Sequence, residues 1–202
     1  MNNYEKQAEA AKKHFLEYDG EALARKNHLK LDADYLYPVL LGQAYRISRK
    51  DGSVEKQQDG IWNDGNSFEE VMTLLDLVCD SKEQRSCCGR WKTMESFGLT
   101  FHRGLLEARD PAADRFSKAP EKLEKACQML AGTPIPGADI GYAVELFDGL
   151  KIGLQFWDGD EEFFPRLRYL WDENALLYLR YETMFYAVSL LQQRVEAVMD
   201  SL

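Results

Sequence analysis

The sequence predicts an α+β fold, in which an antiparallel β-sheet built from two hairpins has helices packed against it and ends in a long amphipathic C-terminal helix. Three observations carry that reading. Extended runs rich in β-branched and aromatic residues flank an Asp-Gly turn twice, at Asp51-Gly52 and at Asp148-Gly149. Apolar residues recur at helical spacing before, between and after these hairpins. The chain has 202 residues, 45% of them hydrophobic and 12% aromatic, and a chain of this length buries roughly 70% of the surface it exposes when unfolded. The expectation is therefore one domain over 1–202, with N-terminal helices at 1–30, an α/β body at 35–202 and a flexible connection near 133–137.

Taken in order, Tyr4, Ala8, Ala11, Phe15 and Tyr18 alternate spacings of four and three, which places them on one face of a helix over 3–18. Asp19 offers an N-cap to a second helix reaching about Asn27, with Arg25 and Lys26 in its last turn. The stretch from Tyr35 to Lys56 reads as a hairpin about Lys50-Asp51-Gly52. Ser67 and Glu70 form a capping box at the head of a helix over 68–79, in which Val71, Leu74, Leu75 and Val78 share a face. Asp80 to Ser96 is polar and predicts a loop, with Gly89-Arg90-Trp91 as a short extended segment. A helical region follows Gly98 and ends before Pro111. Asp110-Pro111 then supplies an N-cap and a first helical residue. Pro120 opens the next helix, with Leu123, Ala126, Cys127 and Leu130 on one face and Gly132 as its stop. Pro134 and Pro136 mark Thr133–Gly137 as a linker. The runs 140–147 and 150–157 flank Asp148-Gly149, whose type I′ turn needs positive φ at both central positions. A third strand is expected at Leu167 to Trp171, a short helix from Asp172 to about Arg180, and the C-terminal helix over Glu182 to Ser201, striped by Met184, Val188, Leu191, Val195 and Val198.

Composition narrows the function classes. Lys and Arg number 25 against 34 Asp and Glu, a formal net charge of −9, which disfavours nucleic acid and anionic membrane surfaces as partners. The N-terminal segment is charged from Glu5 onward and lacks the apolar core of a secretory signal. The apolar stretches fall well short of the ~20 residues that span a bilayer, so the expected location is cytoplasmic. Cys79, Cys87, Cys88 and Cys127 contain no C-x-x-C spacing, and adjacent Cys87 and Cys88 are poorly placed to serve one tetrahedral metal together. Reduced cysteines are expected, with a redox or ligand thiol at Cys87 or Cys88 as the alternative. His14, His28 and His102 fall in separate elements and form no ligand pair. There is no G-x-S-x-G elbow, no phosphate loop and no G-x-G-x-x-G fingerprint. The sequence thus assigns no catalytic residue, no cofactor and no metal.

One segment stands out. Trp157-Asp158-Gly159-Asp160-Glu161-Glu162-Phe163-Phe164-Pro165 puts four carboxylates into five positions between aromatic residues, at the end of the second hairpin. Residues 139–202 hold 5 basic against 12 acidic residues, so most of the net charge is local to this last third of the chain. The candidate ligand-binding residues are Trp157, Asp158, Asp160, Glu161, Glu162 and Phe163. Clustered carboxylate oxygens suit Mg²⁺ or Ca²⁺, but a calcium loop would need Gly where Phe163 stands and Glu where Tyr169 stands. The plainer alternative is a solvated acidic turn whose charges pair with Arg166 and Arg168.

The run from Phe156 to Leu179, together with the earlier stretches at 41–47, 51–54, 89–91 and 145–157, resembles an uncharacterised prokaryotic family known as domain of unknown function 3786, typical of anaerobes, over about residues 35–195. Gly-Asp-Glu-Glu-Phe at 159–163 is the specific part of the match. The resemblance brings no activity with it; some relatives carry an appended iron–sulfur module on closely spaced cysteines, a run that this chain lacks. The missing catalytic motifs and the aromatic-flanked acidic turn point to a ligand-, cofactor- or partner-binding accessory domain, which the resemblance would place in anaerobic metabolism. The alternatives are a carboxylate-dependent Mg²⁺ or Mn²⁺ metalloenzyme using the 158–162 turn, and a homo-oligomeric interaction protein.

Overall fold

Local signals start and stop most of the elements. The computed structural model describes residues 3–97 and 110–202; the helix expected after Gly98, and His102 within it, lie outside the described residues. Contacts divide the chain into two compact units, Met1–Ser86 with Leu146–Leu150 and Asn174–Leu190, and Cys87–Glu145 with Lys151–Glu173 and Leu191–Leu202.

In the first unit, α1 (Asn3–Phe15) ends three residues earlier than its apolar spacing suggests. Glu17 and Tyr18 donate their amides three residues back, to His14 and Phe15, which tightens the chain so that Asp19 can adopt the extended N-cap conformation and accept from the Ala22 amide at 2.8 Å. That cap opens α2 (Gly20–Asn27), which closes on His28 in the left-handed region at φ 55°. The first sheet comprises β1 (Lys30–Leu31), β2 (Tyr35–Tyr37), β4 (Gln43–Ser48), β5 (Val54–Gln58) and β6 (Ile61–Asn63) in that order, with β3 (Val39–Leu40) also paired to β4. The hairpin register sets Ile47 opposite Val54. Its turn needs Gly52 twice over: φ is 72°, and a Cβ there would lie 2.9 Å from the Lys12 carbonyl oxygen on α1. The capping box forms as expected at the head of α3 (Phe68–Asp80). Ser67 Oγ accepts from the Glu70 amide at 3.2 Å and Glu70 Oε2 from the Ser67 amide at 2.8 Å. This helix is buried on more than its apolar stripe, because Thr73 and Asp76 are covered along with Leu74, Leu75, Leu77 and Val78.

The second hairpin builds a sheet of its own, in the order β7 (Trp91–Thr93), β11 (Arg166–Asp172), β10 (Leu150–Trp157), β9 (Ile140–Phe147) and β8 (Thr133–Pro134). The fold is α+β with antiparallel pairing, as the sequence predicts, but the two hairpins do not share one sheet. Each fills both of its edges with strands close to it in sequence or delivered by its own unit. The short extended segment expected at 89–91 lies slightly later, as strand at Trp91–Thr93 with Trp91 opposite Asp172, and a 3₁₀ turn follows at Met94–Phe97. The 133–137 stretch, with the composition of a linker, is also paired: Thr133 sits opposite Ala143, Pro134 opposite Tyr142, and the Ile135 amide reaches the Gly141 carbonyl at 2.9 Å. Gly141 and Gly153 make room for it, since a Cβ at Gly141 would meet the Ile135 oxygen at 2.3 Å and one at Gly153 its Cδ1 at 3.0 Å. Gln155, itself buried, donates to the Pro136 carbonyl at 2.8 Å.

Helices α4 (Pro111–Ser117) and α5 (Pro120–Met129) begin at their prolines. Leu123, Ala126 and Cys127 are buried, and Phe116 meets Phe156 edge-on with ring centroids 6.2 Å apart. In place of a short helix after Asp172, strand β11 runs through Asp172 and a single 3₁₀ turn forms at Ala175–Leu177. The last helix, α6 (Tyr181–Ser201), buries Met184, Ala187, Leu191, Val195 and Met199, while Val188 and Val198 are half-buried. No helix among the described residues is long and apolar enough to cross a membrane.

Candidate functional site

The acidic segment is a braced turn joining β10 to β11. Asp160 organises it: its Oδ1 accepts from the Glu162 and Phe163 amides at 2.8 and 2.7 Å, and its own amide donates to the Phe163 carbonyl at 2.9 Å. Gly159 is sterically required, because a Cβ would lie 2.8 Å from both Cδ and N of Pro165 and 2.9 Å from the Phe163 oxygen. The base of the turn is tied to its surroundings, with the Asp158 amide donating to Asp139 Oδ2 at 2.9 Å and the Ser117 hydroxyl donating to the Asp158 carboxylate. Asp158 and Asp160 are therefore structural as well as charged.

Above this base, Glu161, Glu162, Phe163 and Phe164 are exposed, each phenylalanine to 68%. Arg168 and Arg166 do not pair with the acids among the described residues; their guanidinium carbons lie over the Trp157 ring, 5.0 and 5.8 Å from its centroid. The structure thus brings Trp157, Asp158, Asp160, Glu161, Glu162 and Phe163 into one turn. Among the described residues, however, no group of three or more His, Cys, Asp or Glu side chains is placed to hold a metal ion. The arrangement can offer apolar contact area beside negative charge.

A second polar cluster, in the first unit, has no motif in the sequence. Asp76, fully buried on α3, accepts from Arg180 Nε at 2.7 Å and from the Arg180 amide at 3.0 Å. Asp80, one turn on, receives Arg180 Nη2 at 3.3 Å and His14 Nε2 at 3.3 Å, and the Tyr18 hydroxyl donates to it at 3.4 Å. His14 Nδ1 faces Glu17 at 3.2 Å. Burial pushes the Asp76 carboxyl up from its ordinary value, against the pull of Thr183 and Arg180. Burial presses on Asp80 in the same direction, but the hydrogen bond from Asp76, then His14 and Arg180, outweigh it and hold Asp80 low. The two carboxyls are thus pushed in opposite directions, Asp76 toward keeping its proton and Asp80 toward losing it. The only trace in the sequence is the i, i+4 spacing of the two acids, since His14 and Arg180 arrive from 66 residues before Asp80 and 104 after Asp76.

Cys79 and Cys127 are buried, and burial pushes both thiols up to about 12. Cys87 and Cys88 are exposed.

No curated protein and no solved structure matches the chain. A family model described as a domain of unknown function does, over residues 19–194, a span that takes in the capping box, both hairpins and the whole of the braced acidic turn. On that match the chain belongs to the family Domain of unknown function (DUF3786).

Proposed function

We propose that the chain is a cytoplasmic accessory protein of anaerobic metabolism that binds a protein partner through the 157–165 turn. The observation that carries this reading is the exposure of Phe163 and Phe164, each to 68%, on a turn whose backbone is fixed by Asp160 and Gly159. Leaving a phenylalanine in water forgoes about 1.5–3 kcal/mol of burial. A fixed backbone also lessens the ordering cost of binding, because little of the turn remains to be immobilised. Glu161 and Glu162 beside the rings call for a basic rim around an apolar pocket on the partner. A carboxylate metal site has less support, because among the described residues no three of these acids form a metal-holding group.

A photo-crosslinking phenylalanine analogue placed at position 163 in producing cells tests this, with the same analogue at Met129, 59% exposed, as control. A discrete adduct from position 163 alone, lost in Glu161→Lys with Glu162→Lys, is expected. Equal or absent adducts at both positions would overturn the reading, and a thermal shift with Mg²⁺ or Mn²⁺ would favour the metal site instead.

A further inference from the structure

In the first unit, α1, the first hairpin and the head of α3 border a cavity of about 370 Å³, a size at the lower end of those that hold small ligands. Its apolar lining comes from Tyr4 of α1, Val54 of β5, and Phe68 and Val71 of α3. The Tyr4 and Phe68 rings meet at 66° with centroids 5.0 Å apart, and so make two walls of a corner. Phe68 is backed by Tyr186, edge-on at 5.4 Å. Tyr4 is 63% exposed, which leaves much of its ring open to a ligand.

The polar part of the lining sets the sign of the ligand. Lys12 brings a positive charge, but Glu9 already accepts from its ammonium at 2.8 Å. The α3 N-terminus reaches the cavity through Ser67 and Phe68, yet the Glu70 carboxylate accepts the Ser67 amide at 2.8 Å and answers that positive end from within the helix. Asp64 differs: it lines the cavity with a carboxylate that has neither a hydrogen bond nor an ion pair among the described residues. Asn66, two residues on and also in the lining, donates Nδ2 to the Val54 carbonyl at 2.6 Å and leaves Oδ1 buried without a donor among the described residues. Aromatic faces, an unanswered carboxylate and an orphaned amide oxygen all favour a cation that carries N–H groups. We propose that this cavity binds a small organic ammonium ion, its charge answered by Asp64 and its apolar body seated in the Tyr4–Phe68 corner. An anionic ligand would meet Asp64 and Glu5 with like charge, and a neutral one would leave Asp64 unanswered.

The test titrates the whole ¹⁵N-labelled chain at pH 7 with three probes of one shape, 2-phenylethylamine, 2-phenylethanol and 3-phenylpropanoate, and follows amide shifts by nuclear magnetic resonance. The ammonium form of the amine should saturate one site, with the largest shifts at the amides of Asp64, Asn66 and Phe68. The alcohol should bind about tenfold more weakly, the loss expected for one ion pair and one cation–π contact, and the propanoate more weakly still. Asp64→Asn should bring the amine down to the affinity of the alcohol, whereas Tyr4→Ala should weaken both. No saturable binding of the amine, an alcohol or propanoate that binds as tightly, shifts centred outside the cavity, or an Asp64→Asn variant with wild-type affinity would each overturn the proposal. The three probes on the wild-type chain decide the matter even where a variant fails to fold.

Discussion

His14 lies between Glu17 and Asp80, and its titration has a definite sign. Burial favours the neutral ring, but the hydrogen bonds to Glu17 and Asp80 outweigh it and raise the pKa above the ordinary 6.5. A group whose pKa is raised by folding contributes its full stabilisation below the unfolded value and loses it as pH rises through the folded one. The urea midpoint is therefore expected to fall as pH passes upward from 6.5, and His14→Gln to remove that part of the slope. Comparison of urea curves for the two proteins across this range checks it. Asp76 is raised and Asp80 lowered, so their contributions to the pH dependence of stability have opposite signs. None of this was legible in the sequence, because His14 reads there as a lone histidine on a helix. Arg85 is a similar case: only 3% of its side chain is exposed, and it reaches Asp148, 63 residues away, and Asn27 at 3.1 Å.

At the scale of elements, the capping box before α3 was legible because both of its hydrogen bonds close within three residues. Ser67→Ala should cost about 1 kcal/mol, read as a lower urea midpoint at unchanged m. Glu70 should remain held in that variant, since Tyr45 donates to it at 2.6 Å and Lys56 at 3.1 Å. The Thr133–Gly137 stretch shows the reverse situation. Its prolines and glycine describe local stiffness and turning, yet whether such a segment stays loose depends on what lies beside it. Here two glycines on neighbouring strands open a slot for Ile135. Gly159 in the acidic turn belongs to the same class, because its necessity comes from Pro165, six residues on.

The whole molecule is divided by contacts into two units, but the chain passes between them five times, and β9, β10 and α6 each contribute residues to both. A strand or helix shared in this way cannot melt in one unit without losing register or hydrogen bonds in the other. We accordingly expect the chain to unfold as one domain. Tryptophan fluorescence weighs the second unit, which holds Trp91, Trp157 and Trp171 against Trp62 in the first, whereas far-ultraviolet circular dichroism reports both. Coincident urea curves from the two signals are expected, and separated curves would show that the units unfold apart.

What the sequence by itself determined were the features whose interactions close within a few residues: helix caps, the two Asp-Gly hairpins, the acidic turn as a unit, and the α+β class that follows from alternating and helical periods. Which strands share a sheet, the pairing of Asp76 with Arg180 across 104 residues, and the seating of Cys88 on Asp172 across 84 were decided only by the tertiary structure. A local period fixes which face of an element is apolar, but many distant partners can cover that face. The choice among them is made by shape, as at Gly141 and Gly153, and by the need to satisfy buried polar groups, as at Asp76.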